Sequence, residues 1–251
     1  MCSLEQRDNL FILTLTGPTP DDDHRLGPST ISSLLSALRR ASSLSTPGSV
    51  LITTSSGKFF SNGFDLSHAQ STPDPHRSLQ LMVQSFRPVV SALLSLPMPT
   101  IAAVNGHAAA AGLILALSHD YVVVNGARGF LYMSEVDIGL TLPDYFEAVL
   151  REKARVGGRK GLRELALWGT RLKGADAAEI GLVDEAVVAG GEEGVKKRAE
   201  EKAAELGKRK WDGRVYAELR KGLYKEVCDV LGLERRAVVA ATAPTAPRSK
   251  I

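Results

Sequence analysis

The strongest constraint on this chain is the stretch from Ile101 to Tyr121, IAAVNGHAAAAGLILALSHDY. It opens as an apolar strand, breaks at Asn105-Gly106, crosses a tract of small residues and resumes as a buried helix over Leu113 to Leu117. A strand that turns through small side chains into a helix presents unpaired backbone N–H groups at the helix start. With the helix dipole behind them, those groups form a seat for a negative oxygen. The functional question is which anion forms there and which side chain generates it.

The flanking segments supply the frame. Leu10 to Thr16 and Ser49 to Thr54 read as strands, the second apolar on both faces as in a buried sheet. Thr30 to Ser43 predicts a helix with Ile31, Leu34, Leu35 and Leu38 on one face and Ser29 or Thr30 as its cap. Leu79 to Leu96 predicts a long amphipathic helix stopped by Pro97-Met98-Pro99. Ile101 to Val104 and Tyr121 to Asn125 are further strands, and Gly129 to Met133 a short apolar piece. Strands alternating with helices argue for an α/β fold built from βαβ units. From Pro143 onward the pattern is helical, over Tyr145 to Arg155, Lys160 to Gly169, Gly174 to Ile180, Gly194 to Leu206 and Tyr216 to Leu231. No flexible linker separates the two regions, so a change of layer within one fold is expected.

Composition removes several function classes. A net charge of +3 is spread along the chain, and Lys208-Arg209-Lys210 lies where Glu and Lys alternate, so nucleic acid is not an expected partner. Cys2 and Cys228 support neither a disulfide framework nor a metal site, no His-Glu-x-x-His is present, and no metal is expected. Neither phosphate-cradling glycine motif occurs. The N-terminal segment lacks the pattern of a secretory signal, and the longest apolar run is interrupted by Asn105 and His107, so no membrane insertion is expected. Ser249-Lys250-Ile251 differs by one aliphatic residue from the Ser-Lys-Leu address of peroxisomal import. The Pro- and Ala-rich residues before it favour an extended, accessible tail that the import receptor could read, against the alternative of an arbitrary terminus.

Among residues that could carry chemistry, His24, His68 and His76 lie in polar loops and are expected to be solvated, whereas His107 and His119 flank the apolar helix as hydrogen-bonded interior imidazoles. Glu135 stands between Phe130-Leu131-Tyr132-Met133 and the apolar turn of Val136, Ile138 and Leu140. Desolvation there would raise its pKa and make it a proton shuttle. The competing reading is an edge carboxylate or helix cap pairing with Arg128 or Lys153.

Four blocks in order then carry a family resemblance: Lys58-Phe-Phe-Ser-Asn-Gly-Phe-Asp-Leu66, Pro99-Thr-Ile-Ala-Ala-Val-Asn-Gly-His107, the small-residue helix start, and Ser134-Glu-Val-Asp-Ile-Gly-Leu140. Over about residues 8 to 190 the chain resembles the enoyl-CoA hydratase/isomerase (crotonase) superfamily, within it the plant peroxisomal Δ3,Δ2-enoyl-CoA isomerases. The resemblance implies a crotonase-like spiral of ββα units over residues 1–190, a C-terminal helical trimerisation region over 191–240 and an extended tail over 241–251. It implies an acyl-CoA thioester substrate with no separate cofactor, and a homotrimer or hexamer. The thioester oxygen would be held by the backbone N–H groups of Phe64 and Ala111, the latter where the family usually has glycine. Ser61, Asn62, Gly63, Phe64, Asp65, Leu66 and Gly112 would lie along the substrate and its CoA moiety.

The carboxylates bear on the reaction. Crotonase-type hydratases use two glutamates, and the helix position of the first is Ile114 here, leaving Glu135 alone. The resemblance therefore implies isomerisation of 3-enoyl-CoA to trans-2-enoyl-CoA by a single-glutamate shuttle. The alternatives are a hydratase, a dienoyl-CoA isomerase using a further acid such as Asp137 or Asp144, or a non-catalytic acyl-CoA-binding trimer. The bland roles of those two aspartates are a solvated side chain at Asp137 and a helix cap at Asp144.

Overall fold

Valine, isoleucine and alanine crowd the strands VLITT, TIAAV and YVVVN because all three are covered on both faces. The computed structural model describes residues 1–17, 19, 22–154 and 158–238. These strands are β3 (Val50–Thr54), β5 (Thr100–Val104) and β7 (Tyr121–Asn125), the centre of a six-stranded sheet ordered β1-β2-β3-β5-β7-β10. β1 (Cys2–Arg7) and β2 (Leu10–Leu15) pair antiparallel at one edge, and β10 (Glu185–Val187) joins β7 in parallel at the other. A smaller sheet is ordered β4-β6-β8-β9, with β4 (Phe59–Ser61), β6 (His107–Ala109) and β8 (Phe130–Tyr132) parallel and β9 (Leu172–Lys173) antiparallel.

Each turn of the spiral sends the chain through a strand of the large sheet, a strand of the small sheet and then helix. β3 and β4 lead to α2 (Leu66–Gln70) and α3 (Pro75–Ser95), β5 and β6 to α4 (Ala111–Leu117), and β7 and β8 to α5 (Asp144–Ala154). α1 (Pro28–Ser43), α3 and α4 bury their apolar faces in the main core, with Leu34, Phe86 and Leu113 fully enclosed. The other face of the large sheet is covered by α8 (Gly191–Gly207), whose Val195, Ala199 and Ala203 pack on Val50, Ile52, Ile101, Ala103 and Val123.

Several elements differ from the expectation. β1 is polar at most positions and solvated, so alternation alone did not mark it as an edge strand. β6 is drawn from the alanine tract, where pairing with β4 and β8 outweighs low strand propensity. β9 and β10 lie in the region read as helical and are too short to show a period. The helix expected over 216–231 divides at Tyr224 into α9 (Gly213–Leu223) and α10 (Lys225–Val230). α1 starts from Gly27 with Pro28 in its first turn instead of a Ser29 or Thr30 cap. The remaining helices, α6 (Gly158–Leu167) and α7 (Gly174–Glu179), fall close to their predicted places.

One buried ion pair bolts the C-terminal helices to the core. Arg220 of α9 donates from Nε to Asp120 Oδ1 at 2.6 Å and from its terminal nitrogens to the carbonyls of Leu96 at 2.7 Å and Met98 at 2.5 Å. Tyr216 stacks beneath the guanidinium and donates its hydroxyl to Asp120. Removing the guanidinium would strip Asp120 of its countercharge and leave the Leu96 and Met98 carbonyls without their donor, so Arg220→Met is expected to cost about 3–5 kcal/mol. Denaturant unfolding of the variant checks this, and an unchanged midpoint would contradict it.

Candidate active site

The three parallel strands of the small sheet end on one side, and the segments that carry Phe64, Ala111 and Glu135 leave from those ends. β4 runs out through Asn62-Gly63-Phe64, β6 through Ala110 into α4, and β8 through Met133-Ser134 into the turn at Glu135. Four families of contact hold the first of these segments. Ser61 Oγ donates to the His24 carbonyl at 2.7 Å, and Asn62 donates its N–H to the Asp23 carbonyl at 2.9 Å. Asn62 Nδ2 donates to Asp23 Oδ2 at 2.9 Å, and Leu26 N–H to the Gly63 carbonyl at 2.8 Å. The Phe64 N–H is used by none of them. Its ring lies near-parallel to Phe146 at 6.0 Å and edge-on to Phe86 at 5.7 Å, joining β4, α3 and α5 in one aromatic cluster.

The helix start meets this segment closely. A Cβ on Gly112 would fall 2.4 Å from the Ser61 carbonyl oxygen, so only glycine lets α4 approach β4 so nearly. Gly63, at φ +76°, leaves the space in which an added Cβ would lie 3.4 Å from the Ala111 nitrogen. Ala111 is the first residue of α4, so its N–H has no partner within the helix and carries the positive end of the dipole. The unusual backbone is one residue earlier, at Ala110, with φ 50° and ψ −123°. Two N–H groups, Phe64 and Ala111, are thus available on neighbouring segments. Ile114, in the same helix, is fully buried among apolar side chains.

Glu135 follows β8 in a turn closed by the Leu140 N–H donating to the Glu135 carbonyl at 2.9 Å. Its side chain is only 8% exposed, and Oε2 is buried without a hydrogen-bond partner. Burial pushes its pKa above the ordinary 4.5, an effect partly offset by the backbone N–H groups of Glu135 and Ser134. The geometry supports the desolvated reading of this carboxylate, and no ion pair joins it to Arg128; the side chain of Lys153, the other expected partner, lies outside the described residues.

The other candidates are engaged elsewhere or solvated. Asp144 pairs with Arg87 at 2.9 Å and accepts the Tyr145 N–H at 2.7 Å, and the guanidinium and that N–H hold its carboxyl below the usual range. Asp137 is exposed and sits beside Gly169. Asp65 caps α2 by accepting the His68 N–H at 2.9 Å, and Leu66 begins that helix. His119 is an interior imidazole between the Leu115 carbonyl at 2.9 Å and the Thr53 hydroxyl at 2.7 Å. His107 Nδ1 accepts the Phe130 N–H at 3.0 Å, and burial, then the charges of Lys58, Arg171 and Arg128, keep it neutral to lower pH.

His24 departs from the expectation of a solvated loop. It is buried, its Nε2 donates to the Ser56 carbonyl at 3.0 Å, and its carbonyl anchors Ser61. Nothing local marks it, since its neighbours are polar and the burial comes from the strap to β4. Among the described residues no cluster of three or more His, Cys, Asp or Glu could hold a metal. No described helix is long and apolar enough to cross a membrane.

The model of the enoyl-CoA hydratase/isomerase family matches residues 5–236. Enoyl-CoA delta isomerase 2, peroxisomal, of Arabidopsis thaliana is 56% identical over 94% of this chain and 97% of its own length. Enoyl-CoA delta isomerase 1, peroxisomal, of the same plant is 47% identical over 90% and 91%. A crystal structure of a probable enoyl-CoA hydratase from Mycobacterium tuberculosis superposes with a TM-score of 0.80 over 92% of this chain and 91% of that one, at 24% identity, which speaks for the fold alone.

Proposed function

The chain belongs to the enoyl-CoA hydratase/isomerase family, and on that premise we propose that it is an enoyl-CoA delta isomerase that moves the double bond of a 3-enoyl-CoA to trans-2-enoyl-CoA, in the β-oxidation of unsaturated fatty acids. The relatives that bear the delta isomerase name, at 56% and 47% identity, support the reaction class. The observation that carries the mechanism is a single desolvated carboxylate, Glu135, with apolar Ile114 at the helix position where hydratases hold a second one.

In this mechanism the Glu135 carboxylate removes a proton from C2 of the substrate. The C2–H electron pair moves toward the thioester, and negative charge collects on its carbonyl oxygen. The Phe64 and Ala111 N–H groups and the α4 dipole stabilise that oxygen, each donor contributing on the order of 3 kcal/mol. The 3,4 double bond becomes the 2,3 double bond as protonated Glu135 returns the proton to C4, and the carboxylate is regenerated. One base serves both carbons, so burial helps twice. It raises the basicity of Glu135 and keeps water from competing. Coenzyme A enters as part of the substrate, running along Ser61 to Leu66 and Gly112.

Hydration is disfavoured because nothing at Ile114 can activate water. Dienoyl isomerisation is disfavoured because Asp144 is committed to Arg87 and the α5 start. A purified sample should convert 3-hexenoyl-CoA to its 2-enoyl product while hydrating 2-enoyl-CoA slowly, and Asp144→Asn should leave the isomerase kcat essentially unchanged. Rapid hydration would overturn the reading of Ile114, and loss of isomerisation in Asp144→Asn would bring the second acid back.

We place the protein in the peroxisome as a homotrimer or hexamer. Two relatives carry peroxisomal in their names, and Ser249-Lys250-Ile251 lies outside the described residues. Leu219 and Leu223, one turn apart on α9 and each 69% exposed, favour an assembly contact on the C-terminal helices. A fluorescent fusion should lose punctate localisation when the last three residues are removed, and an unchanged pattern would count against the import signal.

A further inference from the structure

Ala110 adopts φ 50° and ψ −123°, a backbone region that glycine enters freely and a Cβ-bearing residue does not. It is joined on both sides to fixed structure. Its N–H donates to the Tyr132 carbonyl at 2.9 Å, and its carbonyl accepts the Ile114 N–H at 3.1 Å. The peptide that follows it carries the Ala111 N–H. Its methyl also has a defined neighbour, since a Cβ built on Gly63 would lie 3.1 Å from the Ala110 Cβ and 3.1 Å from the Ala109 carbonyl. Gly63 is in turn tied through its carbonyl to Leu26 and immediately precedes the Phe64 N–H. The Ala110 methyl therefore lies beside Gly63, in the residue that joins the β6 pairing to the Ala111 donor, at a position where its own presence strains the backbone.

We infer that Ala110 is a positioning residue whose strained backbone and methyl contact with Gly63 set the spacing and direction of the Phe64 and Ala111 N–H groups. The inference rests on the reading of those two N–H groups as the oxyanion donors. A strained residue persists where the surrounding structure over-determines it, and here both donor segments are over-determined. Glycine at position 110 would relax the turn and remove the spacer. The Ala111 peptide could then rotate, and a donor aimed even about 1 Å away from the developing oxyanion costs up to roughly 10²-fold in rate. Binding of the uncharged ground state depends far less on that aim, so the effect should fall on kcat and leave KM nearly alone.

The test uses the full chain with Ala110→Gly and Ala110→Ser, measuring thermal midpoint, kcat and KM for 3-hexenoyl-CoA. An ordinary Ala→Gly change lowers stability by loosening the unfolded chain. Relief of strain reverses that sign, and the midpoint should rise by about 2–4 °C. Over the same change kcat should fall by about tenfold or more with KM within about twofold. Ala110→Ser keeps a Cβ in the same place and should retain near wild-type kcat. A fall in midpoint for Ala110→Gly overturns the strain, and an unchanged kcat overturns the positioning role. Gly63→Ala separates this from failure of the donor reading itself. If Gly63→Ala also leaves kcat intact, the donors are misassigned. If it abolishes turnover while Ala110→Gly does not, only the role of Ala110 falls.

Discussion

Replacing Glu135 by glutamine is expected to lower kcat for 3-enoyl-CoA isomerisation by about 10³-fold or more, because general acid–base work at a sole shuttle is worth about 10²–10⁴-fold. The amide occupies nearly the same volume but neither accepts the C2 proton nor returns one to C4. The wild-type carboxylate is buried with one oxygen unpartnered and its pKa raised above 4.5. The acid limb of kcat/KM should therefore lie above the position of an ordinary glutamate, and residual activity of the variant should lack it. Stability should move the other way. A group whose folded pKa is raised stabilises the fold below its unfolded pKa, and that contribution is lost as pH rises through the folded pKa. The glutamine variant keeps a neutral side chain at every pH, so it should melt above the wild type at pH 7 and lose that advantage at acidic pH. Equal isomerase rates in the two proteins would remove Glu135 from the mechanism.

Gly63→Ala is the second large effect, and its signature differs. The new methyl would be placed 3.1 Å from both the Ala109 carbonyl oxygen and the Ala110 Cβ and 3.4 Å from the Ala111 nitrogen, on a residue held at φ +76°. Backbone strain of this kind costs about 1–3 kcal/mol, so the thermal midpoint should fall. The methyl also pushes apart the segments that carry the two donors, and loss of one donor costs about 10²–10³-fold in kcat. Activity and stability should thus fall together, in contrast to Glu135→Gln, where they part. A Gly63→Ala enzyme with wild-type kcat and a lowered midpoint would show that Phe64 and Ala111 do not hold the reacting oxygen.

The sequence and the structure agree best where one residue type answers one local demand. The apolar runs of β3, β5 and β7 are buried on both faces, as their composition requires, and Asp144, expected as the cap of a helix from Tyr145, is itself the first residue of α5, where it accepts the Tyr145 N–H. They part where pairing at a distance decides the outcome. β6 is an alanine tract that becomes a strand only between Phe59 and Leu131, and β10 is three residues that need Val123 to Asn125 beside them. His24 sits among aspartates and is nonetheless enclosed, because the strap from Asp23 to Asn62 carries it under β4.

At the site the division has the same cause. The order of residue types determined that one carboxylate, Glu135, follows an apolar strand in a chain whose α4 start is built of small side chains, and that Ile114 stands where a second acid would be. Those facts are local and chemical, and the proposed mechanism is built on them. Whether Glu135 is desolvated, whether the Phe64 N–H is left without a partner and where the strained residue falls were decided by tertiary structure alone. Burial and hydrogen-bond satisfaction depend on which distant segments pack together, and the φ of Ala110 falls where the β6 pairing, the Tyr132 carbonyl and the α4 start meet. No single stretch of sequence contains all three.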